Sequence, residues 1–475
     1  MLVEMATFHP RLKGYGVLTF EDLMMMPFGR GGHHFILFAM LITAYGAMVA
    51  YLLIIKDTSP VAFGLEAQAG QGSFVGVELI MLVTSLFIMV PLSMQRDMSA
   101  LAITSFFSVL CDALLAVFIA IFSPMKETVG AAGGFGTVVK ENAINSGFFI
   151  GFGVLTIAMT CQHSAFIVSG SLGNLTTSRW AAVTFRSLVV SCLLCALVGI
   201  TGYLGYLNDT QGDILNNFEG NTKEATAARV LLAITMFFTY PMECFVARHV
   251  LIKLLFDGDM DGQITDPSTG EVIKQPKTLG VLSRRHLWTF VIYVATLVPA
   301  LIVNDLGPVL SITGAIGGCS LAYIGPGLAY LGVHGEAILE YWAQSVGGKN
   351  RKSDPNAAGN LPVEGDATAT IQVHEPSSMP SGPKPFWWYP LLMPLWKRIA
   401  AKGSNGMNQR MSALEQEHGP ISPTEANQLS EDVVPFRKRD VYFSIFFIVF
   451  GVIALVAGIL SNIYVQVNNI FYSPK

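Results

Sequence analysis

Long apolar runs constrain this chain more than any other feature of its sequence. About nine segments are apolar over roughly 17 to 26 residues, and about 20 such residues let a helix cross the hydrocarbon core of a bilayer. Hydrophobic residues make up 52% of the 475 residues and charged residues only 13%, about half the charged fraction of a typical soluble domain. The sequence therefore predicts an all-α polytopic membrane protein. The predicted spans are 34–55, 75–94, 101–122, 147–170, 187–207, 230–255, 287–303, 309–333 and 441–465.

The distribution of lysine and arginine predicts the orientation of these spans. Basic residues concentrate at the span ends that share a side with the N-terminus, which is the pattern of cytosolic loops. We expect residues 1–32 to be a cytosolic N-terminal segment, 33–333 a bundle of about eight helices, and 334–440 a cytosolic polar insert. The last helix, 441–465, then leaves 466–475 as a lumenal or extracellular tail.

The insert at 334–440 combines two kinds of sequence. Residues 349–384 are rich in proline, glycine, serine and charge, a composition typical of disorder. Residues 386–398 pair clustered aromatic residues with Lys397 and Arg398, which suits a membrane-surface segment. A loop docked on the helix bundle is the alternative. The insert is also long enough to bind a cytosolic partner.

Several classes of function find no support in the sequence. The net charge of -4 comes without the basic face that a nucleic-acid binder needs. The sequence offers no nucleophile–base pair, metal-ligand cluster or H-E-x-x-H motif, so we expect neither an enzyme nor a cofactor. The lipid bilayer is the partner that the apolar spans predict.

Thr239 is a polar side chain inside a span, where polar groups are costly and need a reason. At 1.5 Å per residue it lies about 14 Å into the 230–255 span, near the middle of the bilayer. Pro241 removes a backbone donor and so frees a carbonyl one turn upstream. A hydroxyl beside a free carbonyl could bind a coupling cation such as Na⁺. A threonine bonded to its own helix backbone is the alternative interpretation.

Three ionisable residues also lie within spans. Asp112 is about halfway along 101–122 and must be protonated or paired. It either relays a proton or bonds a neighbouring helix as a neutral acid. Glu243 and Arg248 do not share one face of their helix. We expect each to pair with another helix near the cytosolic end, in a structural or gating role together with Pro241.

The 147–170 span contains five small or polar residues in a row. A continuous helix in lipid rarely tolerates such a run, so these residues must face protein or a cavity, and we expect the helix to be broken here. Broken helices near the midplane form substrate sites in secondary transporters. The candidate substrate-binding residues are therefore Thr160, Cys161, Gln162, His163 and Ser164.

The 309–333 span carries Gly314 and Gly318 as a G-x-x-x-G pair. Small residues at this spacing let two helix backbones approach closely. The pair predicts tight packing within the bundle.

Several segments together resemble the amino acid/auxin permease family. Residues 151–174, GFGVLTIAMTCQHSAFIVSGSLGN, look like the sixth helix of that family. Residues 210–217, TQGDILNN, resemble its outer-loop T-x-G-D-x-L-x-N signature, and residues 238–248, FTYPMECFVAR, resemble its eighth helix. The branches that look most alike are the sodium-coupled neutral amino acid transporters and the vacuolar amino acid transporters.

The resemblance implies a LeuT-type inverted-repeat helix bundle that transports by alternating access. It implies that an amino acid, with neutral ones favoured, binds near the midplane and moves by symport or antiport with Na⁺ or H⁺. Thr239 matches the eighth-helix hydroxyl expected at the cation site, and Asp112 joins it as a candidate coupling-ion residue. No metal is expected beyond a Na⁺ at Thr239. Cys161, Gln162 and His163 match the sixth-helix break that lines the substrate site.

Aligned on these motifs, the chain lacks the first two helices of the family's fold. Residue 1 falls in the loop before the third helix, whereas the first helix of the family supplies a broken segment that holds substrate and ion. A gene model that starts late is one explanation. A transport-inactive, truncated family member is the other.

Two functional hypotheses follow. The resemblance favours a secondary active amino acid transporter in a vacuolar, lysosomal or plasma membrane, with a cytosolic N-terminus. The alternative is a membrane-embedded amino acid sensor that signals through the insert at 334–440.

Overall fold

The computed structural model describes most of the chain. The described residues are 2–8, 12, 19–62, 74–95, 102–142, 148–172, 175–218, 222–256, 264–265, 272–274, 284–347, 389–418 and 438–472. The stretch 349–384, where the sequence predicts disorder, lies outside them, as do residues 386–388 of the predicted membrane-surface segment.

Helices account for nearly all of the described residues. Two short strands, β1 (Ile264–Thr265) and β2 (Val272–Lys274), pair antiparallel in the connection after α11. Turns of π-helix occur at Ser85–Met89, Gly314–Gly318 and Ser320–Ile324. The helices are α1 (Leu2–Phe8), α2 (Phe20–Ala62), α3 (Phe74–Thr84), α4 (Val90–Ser93), α5 (Ala102–Phe122), α6 (Met125–Ala131), α7 (Phe135–Asn142), α8 (Phe148–Ala158), α9 (Gln162–Ser171), α10 (Thr177–Tyr206), α11 (Lys223–Phe256), α12 (Arg284–Ile302), α13 (Leu306–Thr313), α14 (Gly325–Val333), α15 (Gly335–Gly347), α16 (Tyr389–His418) and α17 (Lys438–Tyr472).

Eight helical segments of the described chain are long and apolar enough to cross a membrane, which confirms the predicted all-α polytopic architecture. The remaining predicted span, 75–94, is helical from Phe74 to Ser93 through a π-helical turn, and its apolar part, Leu79–Ser93, is shorter than those eight. At 1.5 Å per residue, the helix from Phe74 to Ser93 covers about 30 Å, the thickness of the hydrocarbon core. Large apolar side chains such as Phe87, Phe185 and Ile302 point outward, as lipid-facing residues do and as the surface of a soluble monomer rarely allows.

Helix α2 is a 43-residue helix at the centre of the bundle. It is about 65 Å long, roughly twice the hydrocarbon thickness, and Gly29 kinks it with φ 69° and ψ -157°. Its start at Phe20 lies inside the segment 1–32 that the sequence assigns outside the bundle. Proline, glycine and histidine residues around the kink lower the local hydropathy, so the apolar pattern does not reveal the start of this helix. The side chains of Leu23 and Met24 are nevertheless buried in the core.

Hydrogen bonds between side chains join α12 to its neighbours inside the bundle. The hydroxyl groups of Tyr240 on α11 and Thr296 on α12 lie 2.8 Å apart. The hydroxyl groups of Ser85 and Tyr293 lie 2.7 Å apart. Because all four residues are buried or nearly so, these bonds satisfy groups that find no water in a hydrocarbon interior.

Lys56 shows how the bundle accommodates a charge near a span end. Its Nζ donates to the carbonyl oxygens of Ala300 and Val303, at 3.0 and 2.7 Å, and to Oδ1 of Asn304 at 3.0 Å. These acceptors lie at the C-terminus of α12, where the helix dipole favours a cation. The ammonium group is thus bound by neutral oxygen atoms and ties α2 to the end of α12.

Glycines bring the 306–333 span against α8. A Cβ on Gly314 would overlap the carbonyl of Gly153, and a Cβ on Gly318 would lie 3.0 Å from Cγ2 of Thr156. The close packing that the G-x-x-x-G pair predicts is therefore confirmed.

Helix α16 docks on one end of the bundle. It contains the described part of the predicted membrane-surface segment, and Trp396 within that part is only 3% exposed. Arg410 donates from Nη1 to the carbonyl oxygen of Met25 at 2.6 Å, close to the kink at Gly29. Within the described part of the segment, Trp396 therefore packs on protein.

We expect Gly314→Ala to destabilise the protein, because its new methyl group must displace the Gly153 carbonyl. Overpacking of this kind costs about 1–3 kcal/mol, measured as a lower midpoint of thermal unfolding in detergent. Gly151→Ala is the matched control, since nothing lies within 4 Å of a Cβ there and both changes gain the same helix propensity. Equal stability of the two variants would contradict the packing described.

Candidate functional site

The 147–170 span is interrupted where the sequence predicts a break. Helix α8 ends at Ala158 and α9 begins at Gln162, with Cys161 at φ -127° and ψ 5°. Side chains form hydrogen bonds to backbone groups at the break. Thr160 donates its hydroxyl to the Thr156 carbonyl at 2.7 Å, and the Cys161 N–H donates to Oε1 of Gln162 at 3.0 Å. The predicted helix break is confirmed.

The break presents backbone groups of both half-helices. The helical hydrogen bonds of α9 begin with Ser164 and Ala165, whose N–H groups donate to the Cys161 carbonyl at 3.2 and 3.0 Å. The N–H groups of Gln162 and His163 precede them at the positive end of the α9 dipole. Such half-helix ends suit the charged groups of a zwitterion.

His163 and Glu243 form a contact between α9 and α11. Nε2 of His163 lies 3.2 Å from Oε1 of Glu243, and the side chains are 5% and 16% exposed. Nδ1 of His163 and Oε2 of Glu243 are buried and have no hydrogen-bond partner among the described residues. The broken helix is thereby linked to the helix that carries Thr239.

Thr239 lies one turn before Glu243 on α11, so the two share a helix face. Its hydroxyl donates to the carbonyl of Thr235 at 2.7 Å, the bond that the alternative interpretation expects. The same oxygen lies 3.2 Å from Oγ of Ser108 on α5. The hydroxyl therefore belongs to a polar cluster between two helices as well as to its own helix.

Asp112 joins this cluster one turn after Ser108. Thr235 on α11 donates its hydroxyl to the Ser108 carbonyl at 3.5 Å, and the partly buried Tyr51 on α2 interacts electrostatically with both Asp112 and Glu243. Four spans thus contribute polar groups to one region, which we name the midspan polar cluster: Tyr51, Ser108, Asp112, His163, Thr235, Thr239 and Glu243.

Pro241 lies within this helix without breaking it. Helix α11 runs unbroken from Lys223 to Phe256 with Pro241 buried inside. Since proline has no N–H, the carbonyl of Phe237 lacks its usual helical donor. That oxygen is a second acceptor close to Thr239.

Arg248 lies outside the midspan polar cluster. Its side chain is fully buried and donates to the carbonyls of Ser93 and Gln95, at 2.7 and 3.0 Å, and to Thr289 Oγ1 at 2.8 Å. These bonds hold the end of α4 and the start of α12 to α11. The geometry gives Arg248 a structural part.

The outer-loop signature forms a closed loop of its own. The carboxylate of Asp213 accepts the Leu215 N–H at 3.0 Å, and burial raises the pKa of that carboxyl. Oδ1 of Asn217 accepts the Gln211 N–H at 2.9 Å. Arg229 of α11 donates to the Leu215 carbonyl at 3.0 Å, so the signature anchors the loop to the bundle.

Three members of the midspan polar cluster were missed by the sequence reading: Tyr51, Ser108 and Thr235. Ser108 precedes Asp112 by four residues, and Thr235 precedes Thr239 by four. A search for hydroxyls one helical turn from each candidate would have found both. Tyr51 carries no such local signal, because its neighbours belong to other helices.

Comparison with known proteins identifies the family. The sequence profile described as "Transmembrane amino acid transporter protein" matches residues 1–344. The chain belongs to this family. The resemblance to amino acid permeases and the assignment to a transporter rather than an enzyme family are confirmed, and the protein is a multi-pass membrane protein.

Individual relatives carry transporter names. The chain is 28% identical over 318 residues to "Putative sodium-coupled neutral amino acid transporter 11" of Mus musculus, covering 66% of this chain and 65% of that relative. It is 27% identical over 245 residues to "Vacuolar amino acid transporter 2" of Saccharomyces cerevisiae, covering 51% of each. The chain thus spans slightly less than two thirds of the length of the mouse relative. No solved structure matches it.

Proposed function

We propose that this protein moves neutral amino acids across a membrane by secondary active transport with alternating access, driven by a Na⁺ or H⁺ gradient. One observation carries the proposal. The break between α8 and α9 contacts α11 through His163 and Glu243, one turn from Thr239. A site for a zwitterion and a site for a cation would then share one helix interface. The names of the relatives from mouse and yeast agree with this substrate class.

The substrate would bind at the helix break. The N–H groups at the start of α9 would receive the carboxylate, since the positive end of a helix dipole favours an anion. The carbonyls at the end of α8 would receive the ammonium group. Thr160, Cys161, Gln162 and Ser164 are exposed or half-buried, so they would line the space for a small, uncharged side chain.

The coupling cation would bind at the oxygens of the midspan polar cluster. Thr239, Ser108 and the Phe237 carbonyl supply neutral oxygen ligands of the kind that hard cations prefer. Asp112, one turn after Ser108 on α5, would supply the balancing charge. If the cation is a proton, Asp112 is the group in this set that can carry it.

The relatives' names bear on where the protein acts. One relative is named for sodium coupling and another for the vacuole. We therefore propose residence in a vacuolar, lysosomal or plasma membrane, with the N-terminus and α16 on the cytosolic side, as the distribution of lysine and arginine indicates.

Uptake into proteoliposomes tests the function directly. The purified protein would be supplied with tritiated L-alanine or L-glutamine while Na⁺ and pH gradients are imposed separately. We expect the labelled amino acid to reach a higher concentration inside than outside with at least one of the two gradients. When an ionophore dissipates that gradient, the accumulated amino acid should be lost. Empty liposomes are the control. Failure to accumulate or exchange either amino acid would contradict the proposal.

We expect Thr239→Val to lower gradient-driven uptake about tenfold, the effect of losing roughly 1.4 kcal/mol of cation binding, because it removes a ligand oxygen without changing size. Thr201→Val is the matched control. Thr201 also donates its hydroxyl to a carbonyl four residues earlier, at 2.6 Å, but on α10. If both variants lose uptake equally, Thr239 has only its local helical role.

A further inference from the structure

We propose that the His163–Glu243 pair binds one proton that moves with each amino acid, an inference that rests on the proposed function. The two side chains form a buried contact on the far side of Thr239 from Thr235. Neither is needed as an oxygen ligand for a metal cation. The pair is therefore a second cation site, separate from Thr239, and its cation is H⁺.

Each side chain of the pair has a polar atom that could accept a proton. Nε2 of His163 meets Oε1 of Glu243 at 3.2 Å. The remaining polar atoms, Nδ1 and Oε2, are buried without a hydrogen-bond partner among the described residues. Each is a position where a proton can arrive without breaking an existing bond.

A second His–Glu contact in the same protein serves as a comparison, because a lysine lies beside it. Nε2 of His249 lies 3.1 Å from Oε1 of Glu21, whose side chain is 1% exposed. Lys253 also donates to Glu21, at 2.9 Å, and to Asp22, at 2.7 Å. The lysine places a permanent positive charge beside the Glu21 carboxylate, although it shares that charge with Asp22. The His163–Glu243 pair has no such cation beside it among the described residues.

Helix α9 packs against α1, α2 and the π-helical turn at Ser320–Ile324. Among the titratable groups of the described residues, Glu243 is the one that interacts electrostatically with His163. Tyr51 on α2 interacts with Glu243 and, on its other side, with Asp112 of α5.

Charge balance then favours one bound proton. A neutral imidazole beside a carboxylate carries one net negative charge, whereas one added proton on either side chain makes the pair neutral. A neutral pair is far less costly in a low-dielectric interior than an isolated charge. The proton enters from one aqueous side and leaves to the other, with no covalent bond formed or broken.

The position of His163 links the proton to the substrate. His163 is in the first turn of α9, whose N-terminal N–H groups are the proposed carboxylate site. A proton on the pair brings positive charge towards an anionic carboxylate, so each ligand strengthens the binding of the other. Such mutual strengthening is reciprocal by thermodynamic linkage, and it makes the coupling a symport.

The test uses proteoliposomes with tritiated L-alanine or L-glutamine and a gradient of about one pH unit. With one proton per amino acid and the membrane potential clamped at zero, wild-type protein should accumulate its substrate about tenfold. Glu243→Gln and His163→Gln should accumulate none, whatever exchange rate they keep. His249→Gln is the matched control and should accumulate as wild type does. The ratio of inside to outside amino acid at steady state is interpreted only for variants that exchange amino acid when the pH is equal on both sides, because that exchange proves that they transport.

A second measurement covers variants that fail to fold. Titration calorimetry of wild-type protein in buffers of different ionisation enthalpy should show uptake of up to about one proton with amino acid binding. Wild-type exchange without any response to pH, or binding without proton uptake, would overturn the proton site and leave the proposed function intact. So would accumulation by Glu243→Gln that is lost instead in Asp112→Asn. Absence of all transport would overturn both.

Discussion

The bundle depends on one constraint: a polar group inside the hydrocarbon must find a partner in the protein. Lys56 meets it with the carbonyls at the end of α12, and Arg248 with those at the end of α4. Both charged side chains hold neighbouring helices together through these hydrogen bonds. Groups that meet the constraint only in part are therefore informative, and His163 and Glu243 beside the helix break are two of them.

The helix break and α11 form one functional unit because they touch. Helix α11 is continuous, buried and packed along α2, so it provides a fixed face. Helix α9 is a short half-helix that follows a non-helical turn. The contact between His163 and Glu243 connects the two, and so joins a half-helix to a continuous helix.

The sequence predicted local features well and distant contacts poorly. Runs of apolar residues predicted the spans, and the polar run at 160–164 predicted the break, because both are short-range properties. The start of α2 at Phe20 was missed, since Gly29 and the residues around it break the hydropathy pattern while tertiary packing keeps the helix. The partners of Thr239 and Glu243 come from α5 and α9, and a single sequence holds no record of those contacts.

Cys161 offers the most direct test of the central claim, that the helix break is the amino acid site. It is exposed within the break, so a variant that keeps Cys161 as its sole cysteine can report on occupancy. The measurement is the rate at which a water-soluble methanethiosulfonate reagent modifies this thiol in membrane vesicles. The account expects L-alanine or L-glutamine, whichever the protein exchanges, to slow the modification. An unchanged rate at a saturating concentration of that amino acid would contradict it.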